Sequence, residues 1–91
     1  MARSDGGREV AWTLHARIAI LEREISVEWI ERTLFDSSDH VNDPLDADKR
    51  HAFAVIPEFG GRILHVVYNP NTQPIRVISA YFDRAQRRRK P

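Results

Sequence analysis

Hydrophobic positions along the chain follow two different periods. Leu14, Ile18, Leu21 and Ile25 stand at i, i+4, i+7 and i+11, the spacing of one stripe on an α-helix. After Ser26, the stretch SVEWIERTLFD places Val27, Ile30 and Leu34 on a second such face. Thr13 and Ser26 stand where an N-cap hydroxyl accepts from an unpaired first-turn amide. Glu28 lies in the first turn of the second helix, where the macrodipole favours an anion. Helices this short are not stable alone, so both need a common surface on which to bury their stripes.

Beyond residue 50 the period changes. HAFAVIPEF, GRILHVVYN and PIRVISAYF are rich in β-branched and aromatic residues and read as strands. Gly60 and Gly61 predict a hairpin, Asn69-Pro70-Asn71 the next turn, and Pro74 opens the last strand without having to donate to the ladder. A short segment from Asp39 to Asn42 supplies a fourth strand despite its polar composition. The predicted fold is α+β, two N-terminal helices on one face of a three- or four-stranded antiparallel meander, with residues 1–10 and 84–91 mobile. Alternation assigns Phe53, Val55, Leu64, Val66, Ile78 and Ala80 to the helix-facing side. It leaves Ala52, Ala54, Ile63, His65, Val67, Val77, Ser79 and Tyr81 on the other.

Composition narrows the class. A chain of 91 residues has room for one domain and little for separate catalytic and regulatory parts. With no cysteine, disulfides and thiolate metal sites are excluded, and the cytoplasm is the simplest compartment. No apolar run approaches the length of a membrane span or a secretory h-region, so neither fate is expected. The formal net charge is only +1, but acidic residues gather in DSSDHVNDPLDAD while the end reads DRAQRRRK. Such a basic tail is either a solvated terminus or an electrostatic footprint for nucleic acid or an acidic protein.

The candidate chemistry is sparse. His15 and Glu22 lie about 20° apart around the first helix and border its stripe, where the imidazole either covers the core edge or helps to frame a cleft and moves a proton near neutral pH. Arg50, Arg62 and Arg76 fall at or inside strands, with His51 and His65 nearby. A guanidinium between Ile75 and Val77 needs a partner, so Arg76 either pairs with Glu22 or Glu58 or projects from the sheet to hold phosphate. The four histidines lack the short spacings of zinc sites, and neither Ser26 nor Ser79 lies in a nucleophile-elbow context. No metal or cofactor is implied.

The stretches TLHAR and EREISVEWIERTL resemble the opening of a family of small bacterial domains of unknown function (type 4258) that begin T-x-H-A and continue R-x-I-S. GGRILHVVYN and IRVISAYFDRAQRRR are similar to BrnT-type toxins, whose last strand reads close to I-R-I-I-S-A-R before a short basic helix. The resemblance covers about residues 13 to 89 and implies a RelE-like fold. For the toxin branch it implies a metal-independent endoribonuclease neutralised by an antitoxin protein. In that chemistry a 2′-hydroxyl attacks the adjacent phosphate while a base, an acid and cations assist. Arg50 matches the arginine opening the family's second strand, Arg76 the one in the last strand and Ser79 the serine of I-S-A; His15 and Arg23 match the T-x-H-A branch. Tyr81 stands where the toxins have arginine. The toxins' aspartate- and lysine-rich first strand and the acidic residue of the terminal helix have no counterpart here.

Two functions therefore stand side by side. In the first, the chain is a cytoplasmic toxin that cleaves RNA with His15, Arg50, His65, Arg76 and Tyr81, while Arg23, Arg62, Arg84, Arg87, Arg88 and Arg89 hold the RNA backbone. In the second, the same scaffold is a non-catalytic module that binds a partner protein. Both leave room for a homodimer.

Overall fold

The computed structural model describes residues 9–83. Its elements are β1 (Val10–Trp12), α1 (Leu14–Glu22), α2 (Val27–Phe35), β2 (Asp39–Asn42), β3 (Arg50–Ile56), β4 (Arg62–Asn69) and β5 (Ile75–Phe82), with a single 3-10 turn, Pro57–Phe59, between β3 and β4. The fold is α+β, as the periodicities require. The sheet, however, has five strands in the order β1-β5-β4-β3-β2 and is mixed, because β1 runs parallel to β5 while all other neighbours are antiparallel. A purely antiparallel meander of three or four strands is thus corrected by one strand. Three residues, VAW, carry too little pattern to announce a strand, and Val10 belongs to it rather than to a mobile terminus.

Both expected caps form. The Thr13 hydroxyl accepts from the Ala16 amide at 3.0 Å and the Ser26 hydroxyl from the Glu28 amide at 3.2 Å. Between β3 and β4 the chain turns through Gly60 and Gly61, at φ of +69° and +75°, a region that glycine enters without steric cost.

The core lies between the helices and one sheet face. Ile30 and Leu34 of α2, Ile25 and Ala16 meet Ala52, Ile56, Leu64, Val66, Tyr68, Val77 and Ala80. Helix α1 packs on β5, and α2 on β3 and β4. This corrects the assignment of faces at β3, where Ala52 rather than Phe53 looks toward the helices. Small residues there let α2 approach the sheet, and the longer Phe53 and Val55 take the opposite side. On β5 the register slips at Val67/Tyr68. Val67 pairs with Ser79 and Tyr68 with Val77, so Ile78 is the extra residue of a bulge and Val77 joins the core.

The largest correction concerns α1. Its buried residues are Ala16 and Ala19, whereas Leu14, Ile18 and Leu21 are 71%, 45% and 77% exposed. At 100° per residue the buried alanines lie about half a turn from the Leu14–Ile18–Leu21 stripe, which faces outward. The helix is apolar on two sides, and its periodicity reported the wrong one. We expect Ala16→Leu, which overfills the close contact, to destabilise the fold by about 1–3 kcal/mol, and Leu21→Lys to change it by no more than about 0.5 kcal/mol. Urea unfolding of the two variants would give the opposite ranking if the stripe were buried.

Candidate functional site

The sheet face away from the helices carries a row of polar groups. His51 on β3 and His65 on β4 are diagonal neighbours, since His51 pairs with Val67 and Phe53 with His65. Their rings meet, with 2.7 Å between Nδ1 of His51 and Nε2 of His65. On the outer side Nε2 of His51 lies 2.8 Å from Oδ2 of Asp43, and on the inner side Nδ1 of His65 lies 3.6 Å from Oδ2 of Asp83. The row therefore reads Asp43, His51, His65, Asp83, and it ties the β2–β3 loop to the end of β5.

Each member has a local reason to be where it is. Asp43 organises its own loop, accepting through Oδ1 from the amides of Leu45 and Asp46 at 2.8 and 3.1 Å. Its bond to His51, then that from Leu45, holds its carboxyl below the ordinary range. His65 is 7% exposed, with ring contacts to Phe53 and Tyr81 at centroid distances of 4.4 and 4.7 Å. Burial first and the neighbouring His51 second lower its pKa, while Asp83 opposes them. Burial likewise raises the Tyr81 hydroxyl, with Asp83 adding to it.

A second histidine site lies on the helix side. Nε2 of His40 is 3.0 Å from the Ser37 carbonyl and Nδ1 is 2.6 Å from the Tyr68 hydroxyl. A carbonyl only accepts, so Nε2 carries the proton and the Nδ1 lone pair takes the bond that Tyr68 donates. Arg50 pairs with Tyr68 across the strands, and its Nε is buried without a hydrogen-bond partner.

The residues singled out from sequence do not converge. His65 and Tyr81 are in contact. Arg76 shares their face, but it lies opposite Asn69 toward the far end of β4 and is exposed. Arg50 is on the other face, because residues of opposite parity on a strand point to opposite sides. His15 is exposed on α1 and frames no cleft, since the side of α1 against the sheet is the one carrying Ala16 and Ala19. Arg23 ends α1 and Arg62 starts β4, where its guanidinium sits 5.1 Å from the Phe59 ring centroid. Arg84, Arg87, Arg88 and Arg89 lie outside the described residues. Neither carboxylate expected for Arg76 serves it, and Glu58 forms a two-pronged pair with Arg32 at 2.9 Å that lowers its pKa to about 2. A groove of about 530 Å³ runs between the end of α2 and the margin of β3, and none of His15, Arg50, His65, Arg76 or Tyr81 lines it.

What sequence reasoning missed are the two aspartates. Asp43 and Asp83 stand in segments that read as an acidic loop and the start of a basic tail. Only the strand register shows that each caps one end of the histidine pair.

The domain of unknown function family DUF4258 matches residues 12–82, from the last residue of β1 to the last of β5. The chain belongs to this family. No curated protein and no solved structure matches it. The DUF4258 match includes α1, both histidine sites and Arg76, and stops one residue short of Asp83.

Within the DUF4258 domain, the His40–Tyr68 bond predicts a stability effect. Tyr68→Phe keeps the ring and strands the lone pair of the half-buried His40 imidazole, and should cost about 1–3 kcal/mol. Calorimetry against Tyr81→Phe, whose hydroxyl meets no partner among the described residues, should show the difference.

Proposed function

We propose that this DUF4258 domain is a protein-interaction module, without catalysis of its own, that binds a partner protein through the outward face of α1. The observation that carries this reading is the exposure of Leu14, Ile18 and Leu21 on a nine-residue helix whose opposite side is already packed. Anchors at i, i+4 and i+7 are the ones an amphipathic helix lays into an apolar groove. The partner is a protein offering such a groove, with a carboxylate to meet Arg17 on one flank of the stripe and a cation to meet Glu22 on the other. The histidines add support of another kind. A general base needs a free ring nitrogen within reach of its substrate; those of His40 and His51 are engaged, His65 is enclosed, and the exposed His15 stands on α1, away from the polar sheet face.

One arrangement favours the second reading, a metal-independent ribonuclease held inactive by an antitoxin. Tyr81, Ser79 and Arg76 share the open sheet face with His65, and Arg76 has no carboxylate partner among the described residues. In this reading Arg76 and Tyr81 stabilise the charge developing on phosphate, and the terminal arginines steer RNA toward the face.

The partner to test first is the product of any small reading frame found to adjoin this one, the antitoxin-like candidate under either reading. For the interaction module, calorimetric titration should give a complex that Leu14→Asp with Leu21→Asp weakens by about 10²–10⁴-fold, the equivalent of two leucines left unburied. Arg76→Ala should leave that affinity unchanged. Sedimentation of the chain alone reports whether a second copy occupies the stripe instead. Labelled single-stranded RNA incubated in EDTA should remain intact; cleavage that disappears in a folded Arg76→Ala or Tyr81→Phe variant would overturn the module in favour of the ribonuclease.

A further inference from the structure

The four-member row on the open sheet face can be read as a proton count. Asp43 accepts two backbone amides through Oδ1, so its Oδ2 is the carboxylate oxygen facing Nε2 of His51, and that nitrogen must carry a hydrogen. A single hydrogen must lie between Nδ1 of His51 and Nε2 of His65, because two would collide at 2.7 Å and none would leave lone pair against lone pair. Nδ1 of His65 is buried, and Asp83 Oδ2 at 3.6 Å lies beyond hydrogen-bond reach, so that nitrogen carries either a hydrogen or a lone pair. The sum is two or three hydrogens on the four ring nitrogens. Two neutral imidazoles carry two, a singly protonated pair three and two imidazolium ions four, so only the doubly protonated pair is incompatible with the His51–His65 bond.

We propose that His51 and His65 form a single-proton latch that fastens the loop of residues 43–49 to the end of β5, and that acidification opens it by forcing a second proton onto the pair. The added proton occupies whichever of the two facing nitrogens accepts, and the His51–His65 bond is lost. The Asp43–His51 bond then no longer connects to β4 and β5. The charged and titratable neighbours on the packed elements are mostly acidic. Asp39 of β2 lies opposite Phe53 on the same face, Tyr81 of β5 opposite His65, and Asp83 at the inner end, while the loop's own Lys49 reaches Asp46 at 4.0 Å. Arg50 precedes His51 but points to the other face. The carboxylates at the two ends favour charge on the rings, and what excludes a second proton is the 2.7 Å contact between the rings, which has room for one hydrogen.

The sign follows from the direction of the His65 shift. In the unfolded chain this imidazole titrates near 6.5, and in the fold it titrates lower. Its contribution to stability is complete above the unfolded value and is lost as pH falls toward the folded one. Acid therefore loosens the latch and neutral pH closes it.

The test is side-chain nitrogen NMR of the full chain between pH 8 and 5, with amide exchange in parallel. At pH 7, of the two facing nitrogens, Nδ1 of His51 and Nε2 of His65, one should be protonated and the other not. Exchange protection at Leu45 and Asp46, corrected for intrinsic rates, should fall at least tenfold on going to pH 5. His65→Phe, which keeps a ring between Phe53 and Tyr81, should abolish that pH dependence. Two histidines that each take up a proton independently, with loop protection unchanged, would overturn the latch, as would a folded His65→Phe variant with the wild-type pH dependence. Should His65→Phe fail to fold, the wild-type nitrogen shifts at pH 7 decide the matter alone.

Discussion

One hydroxyl joins the two layers of this domain. The Thr13 amide continues the parallel β1–β5 ladder by donating to the Val77 carbonyl at 3.2 Å, and its side chain donates to the Ile78 carbonyl at 3.3 Å while accepting from the Ala16 amide at 3.0 Å. The bulge makes this possible, because Ile78 is skipped by the β4 register. Thr13 thus ends a strand, caps a helix and ties that helix to the sheet at a site where the ladder is interrupted. The rotation of α1 follows. Leaving the sheet at Thr13, the helix lays Ala16 and Ala19 inward with Ile20 half-buried beside them, and Leu14, Ile18 and Leu21 are turned to solvent.

That constraint also separates the two candidate surfaces. The apolar stripe lies on the outer side of the helical layer, while the histidine row and Arg76 lie on the far side of the sheet. A partner on α1 would leave the sheet face accessible, and an activity on the sheet face would not require α1. The domain is thin enough for two independent surfaces, with one polar row linking three strands and a loop and one apolar stripe linking nothing within the described residues.

The parts of the fold visible in sequence were those set by local chemistry. Thr13 and Ser26 as caps, the Gly60-Gly61 reversal and the Pro74 strand opening all follow from one or two side chains. What stayed hidden depends on pairings distant along the chain. VAW is a strand only because β5 is there to receive it, and β3 shows Ala52 to the helices only because α2 comes close. The same distinction divides the site. His65 and Tyr81 could be placed on one face by alternation, but Asp43 and Asp83 become its end groups only once β3, β4 and β5 are in register. His15 misled for a related reason: a stripe of leucine and isoleucine predicts burial, and here the alanines are buried instead.

The placement of β1 has a consequence for the order of folding. Among the described residues the first strand along the chain pairs with the last, and α1 packs on that same last strand. Until Ile75–Phe82 has emerged, neither β1 nor α1 has its surface, so the nascent chain can assemble α2 with β2, β3 and β4 while its first two elements wait. Contacts spanning most of the chain are the ones that slow folding most. For a helix with apolar residues on both sides, that interval leaves both sides in water, and a partner that seized the outer stripe early would be acting on the chain before the domain was complete.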